Sequence, residues 1–215
     1  MKALTRIFMR VLLRTDDLLT RCINRLALLY DDGVHVKHRL MRYHDFFVDR
    51  IRPGERVLDI GCGYGAVAYS VASKTGAVIT GIDLNARNIA KAKRRFRHPN
   101  LTFVEGDALK DLPEGTFDVV LLSNILEHLD RRVEFLVTVQ QRLSPTRWLI
   151  RVPMINRDWR VPLRQELGLF HLSDRTHFTE YTQESFEKEL LAAGLSLTYA
   201  QYNWGEIWAE AHPRG

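Results

Sequence analysis

The chain has 215 residues, 46% apolar and 27% charged, which suits one well-buried core in a soluble globular protein and excludes disordered, collagen-like and membrane-spanning classes. Its net charge of +5 is concentrated: residues 1–30 carry Lys2, Arg6, Arg10, Arg14, Arg21 and Arg25 against Asp16 and Asp17, and the rest is nearly balanced. Such a local basic face argues against a dedicated nucleic-acid-binding domain. Arg6, Arg10 and Arg14 interrupt every candidate signal-peptide core, and Cys22 and Cys62 make neither a disulfide framework nor a metal pattern, so a reducing cytoplasm is the expected compartment.

Along the chain, Leu4, Ile7, Val11, Leu18, Cys22, Leu26 and Leu29 recur at helical spacing with the arginines on another arc. They predict one amphipathic helix, or two broken near Thr15-Asp16, ended by the turn signal Asp31-Asp32-Gly33. A second helix is expected over His38–Ile51, stopped by Pro53-Gly54. From residue 56 short apolar strands alternate with helices: 56–60, 77–82, 101–104, 117–122 and 147–152 are the strands, and 89–96 lies in one of the helices. Continuous apolar strands separated in this way predict a parallel sheet covered on both faces. After a helix from Gln183 to Ala193, segments 195–202 and 206–212 lie too close for a crossover helix and pair as an antiparallel hairpin. The expected fold is a doubly wound, Rossmann-like α/β domain of seven strands in order 3-2-1-4-5-7-6, last strand antiparallel. Residues 1–54 form a helical cap of the domain at 55–215, and 154–181 a lid.

The chemical signal begins at Asp59-Ile60-Gly61-Cys62-Gly63-Tyr64-Gly65, directly after the first strand. Alternate glycines let the backbone turn tightly and approach a ligand at the strand ends. The spacing is G-x-G-x-G; the dinucleotide fingerprint would need glycine where Ala66 stands. Asp59 would repel a diphosphate and welcome a cationic amino group. Asp83 follows the second strand, 22 residues after Gly61, close to the spacing of about 20 expected for a carboxylate on a ribose diol.

Together with Glu105-Gly106-Asp107-Ala108 and the Phe117–Val120 strand leading to Asn124-Ile125-Leu126-Glu127-His128, these stretches resemble the successive motifs of class I S-adenosylmethionine (SAM)-dependent methyltransferases. The likeness is to the small-molecule branch that includes ubiquinone-biosynthesis-type O-methyltransferases. It covers residues 55–153 well and the terminal helix and hairpin moderately. The resemblance implies SAM as cofactor, S-adenosylhomocysteine as product, and methyl transfer to a hydroxyl, less readily an amine or carboxylate, of a small-molecule, lipid-linked or sugar-linked acceptor. It also implies that Gly61, Gly63 and Gly65 let the backbone pass the methionyl part, with Asp59 near its amino group and Asn124 bordering it. Asp83 would accept the ribose hydroxyls, Leu84 would pack on the adenine, and Asp107 and Ala108 would face the ring.

His128 is the first candidate base for the acceptor hydroxyl, and His177 in the lid is grouped with it as catalytic. A capping or surface role for His128 is the plainer alternative. A lid of 28 residues is long for a connection and suggests binding; Arg151, Trp159 and Arg160 are its substrate-facing candidates. His171, Asp174 and His177 match no metal spacing, and no metal is expected. The basic N-terminal face reads as a cap on the domain, then as a peripheral membrane contact, then as a subunit contact; it leaves oligomeric state open. Two rivals stand beside the small-molecule enzyme. A nucleic-acid methyltransferase lacks the Asn/Asp-Pro-Pro-aromatic turn after the fourth strand, where the chain reads Ser123-Asn124-Ile125-Leu126. A SAM-binding partner protein without catalysis needs only the glycine turn and Asp83.

Overall fold

Seven segments hydrogen-bond into one sheet: β1 (Arg56–Ile60), β2 (Val78–Asp83), β3 (Leu101–Glu105), β4 (Val119–Ser123), β5 (Arg147–Pro153), β6 (Leu195–Asn203) and β7 (Glu206–Pro213). The computed structural model describes residues 1–31 and 35–214. The strand order is 3-2-1-4-5-7-6; β1 to β5 run parallel, and β7 lies antiparallel between β5 and β6. The expected sheet is therefore the observed one. Its reversal is a two-residue hairpin turn, with Trp204 and Gly205 both in the left-handed region (φ 56° and 73°), the geometry that matches the twist of the flanking strands.

The helices are α1 (Lys2–Tyr30), α2 (Lys37–Met41), α3 (Tyr43–Val48), α4 (Ala66–Thr75), α5 (Ala86–Arg95), α6 (Arg132–Leu143), α7 (Arg160–Glu166) and α8 (Gln183–Ala192). Side chains on opposite faces of the central strands feed two separate cores. One contains Leu58, Val120, Trp148, Leu136 and Phe186 from the α6 and α8 side; the other contains Val57, Val119, Leu149, Phe47 and Val71 from the α3 and α4 side. Because both faces of each central strand are buried, β4 and β5 are mostly apolar (Val-Val-Leu-Leu-Ser and Arg-Trp-Leu-Ile-Arg-Val-Pro), and the two arginines of β5 are paired with glutamates.

One open alternative closes and two expectations change. The first helix is unbroken: Thr15 returns its hydroxyl to the Val11 carbonyl at 3.1 Å, so the pair Thr15-Asp16 stays helical. Of its stop signal, Asp31 caps α1, while Asp32 and Gly33 lie outside the described residues. The second helix is split at Arg42, which adopts φ 52° and separates α2 from α3. The segment 154–181 carries α7, and its base is stapled by a parallel bridge between Met154 and Tyr181, with Tyr181 N–H donating to the Pro153 carbonyl at 3.0 Å.

At the end of the sheet opposite the glycine turn, Arg147 donates to the Arg50 carbonyl at 2.8 Å and to Glu55 Oε1 at 2.6 Å, nearly out of solvent. Arg147→Ala leaves the Glu55 carboxylate with the Arg52 N–H (2.8 Å) but without its cation, and is expected to lower unfolding free energy by about 3 kcal/mol in a urea titration.

Candidate active site

The sheet changes direction of growth between β1 and β4: the chain builds outward to β3 on one side, then returns to β4 on the other. The crevice beyond their carboxyl ends is where open α/β sheets bind ligands. The turn filling it has Gly61, Gly63 and Gly65 at φ 69°, 55° and 80°, a conformation that side-chain-bearing residues enter only with strain. The turn is held by the end of β2. The Ile82 carbonyl accepts from Gly61 N–H (2.8 Å) and Cys62 N–H (3.0 Å), and Asp83 Oδ2 accepts from Gly63 N–H (2.8 Å).

Asp83 thus faces the turn. Its Oδ1 also accepts from Asn85 N–H (2.8 Å) and from the Asn88 side-chain amide (3.1 Å). A carboxylate has about four acceptor sites, so one is free on Oδ2. Gripping two ribose hydroxyls at once requires Asn88 to release its amide. Leu84 beside it is 73% exposed, an open apolar shelf.

Asp59 is buried, and its Oδ2 has no hydrogen-bond partner; Asn124 Oδ1, just past β4 at φ 58°, is likewise buried and unpartnered. Burial, and then the neighbouring Asp83 charge, push Asp59 up to about 7. Two acceptors lacking donors at the ends of adjacent strands fit a group rich in N–H, such as the ammonium of SAM. Gly63 fits as well, because nothing stands within 4 Å of where its Cβ would be. Gly61 does not have that role here: Ile125 Cδ1 lies 2.0 Å from its Cβ position, so the missing side chain makes room for Ile125. Open space along the turn lies at Gly63.

Other expected residues are placed as follows. Asp107 Oδ1 accepts from Leu109 N–H at 3.0 Å and pairs with Lys110, a turn cap, while Ala108 packs against the core. Arg151, expected as an anion ligand, is committed elsewhere. It forms two bonds to Glu206, one at 2.6 Å, and its guanidinium lies 3.8 Å from the Tyr43 ring centre. Arg160 is likewise taken, by Asp158 at 2.6 Å and Asp16 at 3.4 Å. Both cations are neutralised within the chain, which corrects their reading as free substrate anchors. Trp159 is exposed.

The two candidate histidines do meet. His128 ends a single 3₁₀ turn (Leu126–His128), and its ring lies edge-to-face on His177, 4.6 Å between centres. The lid is brought there by Phe178 N–H, which donates to the Glu127 carbonyl at 2.8 Å. His128 is the exposed member; its Nδ1 contacts Thr176 Oγ1 at 3.0 Å. Burial first, then the His177 charge, hold its pKa below the usual histidine value, so it is neutral at pH 7.

His177 is the buried member. Its Nδ1 lies 3.0 Å from Glu180 Oε1, and Glu180 in turn is bonded by Arg157 and Ser173. Burial alone would raise Glu180, but the His177 and Ser173 hydrogen bonds and the Arg157 charge outweigh it and hold the carboxyl below the ordinary range. An ionised carboxylate at Nδ1 places a proton there, so that in the neutral form of the ring Nε2 is the acceptor.

Glu127 completes the group: fully buried, with both oxygens unpartnered, and pushed up to about 7 chiefly by burial. Among the described residues, Glu127, His128 and His177 are the set of three metal-capable side chains whose ligand atoms all lie within 4.8 Å of one another. The trio His171, Asp174 and His177 is not assembled: His171 uses its carbonyl on Arg157, and Asp174 accepts from Thr176. Sequence reasoning missed Glu127, Glu180, Asn88 and Ile125. The first two had a signal, a carboxylate adjacent to His128 and another three residues beyond His177.

A positive-φ glycine turn at the switch point of this strand order, with an acidic residue ending β2, defines the class I SAM-dependent methyltransferase fold. The methyltransferase-domain family matches residues 33–200, and the chain belongs to it. It is 36% identical to the ubiquinone biosynthesis O-methyltransferase of Rhizobium leguminosarum bv. trifolii over 155 residues, covering 67% of this chain and 60% of the relative. With the mitochondrial ubiquinone biosynthesis O-methyltransferase of Schizosaccharomyces pombe the identity is 27% over 186 residues, covering 81% and 66%. The chain therefore spans about two thirds or less of the length of these relatives. Among solved structures, the magnesium protoporphyrin IX methyltransferase of Synechocystis PCC 6803 with bound SAH superposes with a TM-score of 0.65 at 17% identity, over 84% of this chain and 85% of the other. The putative methyltransferase in complex with the Haloferax volcanii Trm112 activator gives 0.67 at 14%, over 86% and 94%.

Glu127 makes stability depend on pH. The unfolded carboxyl loses its proton near 4.5 and the folded one near 7, so the folded state binds more protons in between and stability falls as pH rises through that window. Glu127→Gln is expected to flatten the decline in denaturation curves measured at pH 5 to 7.

Proposed function

We propose that this chain transfers the methyl group of SAM to a hydroxyl of a small, apolar or lipid-linked acceptor. The observation that carries the reading is that the Asp83-braced glycine turn follows β1, while the turn after the neighbouring β4 is joined through Glu127 and His128 to a buried His177–Glu180 dyad. Binding needs only the first; the second is a device for taking a proton. SAM, when bound, supplies a methyl group on a positively charged sulfur that is already activated for transfer. The chain then has to orient the nucleophile, exclude water and accept one proton. Asp59 and Asn124 offer acceptors for the ammonium, Asp83 for the ribose, and Leu84 an apolar face for the base. His177 Nε2 takes the proton of the acceptor hydroxyl, and Glu180 stabilises the resulting imidazolium. The acceptor class is supported by relatives named for oxygen methylation, which include a fatty-acid O-methyltransferase of Mycolicibacterium smegmatis at 38% identity over 114 residues.

A second reading rests on Glu127. Its two unpartnered oxygens beside two imidazoles also make a carboxylate–histidine set able to hold a divalent cation, which would polarise the hydroxyl in place of a base.

Transfer of a labelled methyl group to hydroxylated acceptors, followed by product mass, tests the proposal; tight SAM binding without turnover across phenols, fatty acids and polyprenyl phenols would leave a binding protein. Asp83→Ala is expected to weaken SAM binding by ~1–3 kcal/mol in calorimetry. His177→Ala is expected to lower kcat by ~10²-fold with SAM affinity unchanged. Activity that survives extensive chelation supports the base; activity lost on chelation and restored by a divalent metal supports the cation.

A further inference from the structure

Amphipathic helices on globular proteins normally turn the apolar stripe inward. The 29-residue α1 does the opposite. At 100° per residue, Leu13, Asp16, Asp17, Thr20 and Asn24 share one arc, and this arc faces the body. Leu13 is the buried residue of the helix, its carbonyl accepts from Arg164 at 3.1 Å, and Asp16 and Asp17 pair with Arg164 at 3.1 and 3.0 Å. Both acidic side chains of α1 are thereby spent on the lid. The opposite arc carries Leu4, Ile7, Val11, Leu18, Leu26 and Leu29, each more than half exposed, a continuous apolar stripe of the kind that marks an interaction site. Arg10, Arg14, Arg21 and Arg25 fall on a single line along its flank, and among the described residues none of them pairs with a carboxylate. Beyond the C-terminal part of the helix, Leu28 borders a groove lined by Lys91, Arg94 and Arg95, which continues the positive edge.

We propose that α1 lies in the plane of an anionic lipid surface, its apolar stripe at the headgroup–acyl boundary and its arginine line on the phosphates. Charge decides for lipid over a second copy of the chain. An antiparallel pair of such helices would bring the two arginine lines together, and in a parallel pair a seam spaced every three or four residues from Leu4 would run through Thr15, Cys22 and Arg25. Anionic headgroups neutralise the same line, and arginine stems cover apolar surface while their heads reach the interface. Among the described residues no helix is long and apolar enough to cross a membrane, so the contact is peripheral. Because the inner arc is pinned to α7, docking would set the lid beside the bilayer. The inference stands apart from the reading of the reaction, since neither histidines nor glycine turn enter it.

The test is co-sedimentation of the full chain with phosphatidylcholine vesicles, with and without phosphatidylglycerol, at low and high salt. Binding should require phosphatidylglycerol and weaken with salt. Each cation near such a surface contributes roughly fivefold in affinity, so a variant with Arg10, Arg14, Arg21 and Arg25 all changed to Gln should lose ~100-fold or more. Val11→Asp/Leu18→Asp should lose binding as well. Unchanged circular dichroism and SAM affinity in both variants would keep the result on the surface and separate it from any failure of the catalytic reading. The proposal is overturned if the native chain stays in solution with anionic vesicles, or if both variants bind as it does. It is equally overturned if lipid-free ultracentrifugation shows a dimer that Val11→Asp/Leu18→Asp dissolves while vesicles capture nothing.

Discussion

The hydrogen bond from Gly63 N–H to Asp83 joins the two groups on which the site depends. The backbone after β1 must reverse through three left-handed residues, which leaves amide N–H groups pointing into one concavity instead of along a strand. The end of β2 satisfies them, through the Ile82 carbonyl and the Asp83 carboxylate. This is possible because β1 and β2 pair in parallel with Ile60 opposite Ile82, so both strands finish at the same level. The same register brings Asp83 close enough to Asp59 to raise it. The turn, the placement of Asp83 beneath it and the raised pKa of Asp59 are three results of one strand pairing.

The second half of the candidate site is assembled by residues 154–181. The base of this segment is fixed by Met154 and Tyr181, and Phe178 fastens it to the turn after β4. Between those points Glu180 sits fully buried, held by Arg157 and Ser173, and so offers His177 a charged acceptor with little freedom to move. The result is an imidazole whose tautomer is set by its surroundings, which a free loop histidine would lack. Glu127 works differently: neither carboxyl oxygen has a hydrogen-bond partner, and burial is the main cause that makes it hold a proton near neutrality.

The lid also explains the posture of α1. Arg160, expected to face an anionic acceptor, pairs with Asp16 in the folded chain, Arg164 pairs with Asp16 and Asp17, and these contacts turn the polar arc of α1 inward. An ion-pair cluster has decided which side of an amphipathic helix meets solvent, against the usual preference for burying the apolar side.

The sequence alone determined the sheet, because strand order follows from local signals: apolar runs that tolerate burial on both faces, helical spacing between them, and a final pair too close for a crossover. It also determined the glycine turn and Asp83, whose roles rest on conformations few other residues adopt and on a fixed spacing along one βαβ unit. It could not show that Gly61 makes room for Ile125, that Arg151 belongs to Glu206, or that His128, His177 and Glu127 converge, since each pairs residues far apart in the chain or on different elements. Nor could periodicity say which arc of α1 faces inward; a helical pattern fixes that two faces exist, and only the partners that fold against them decide which one is covered.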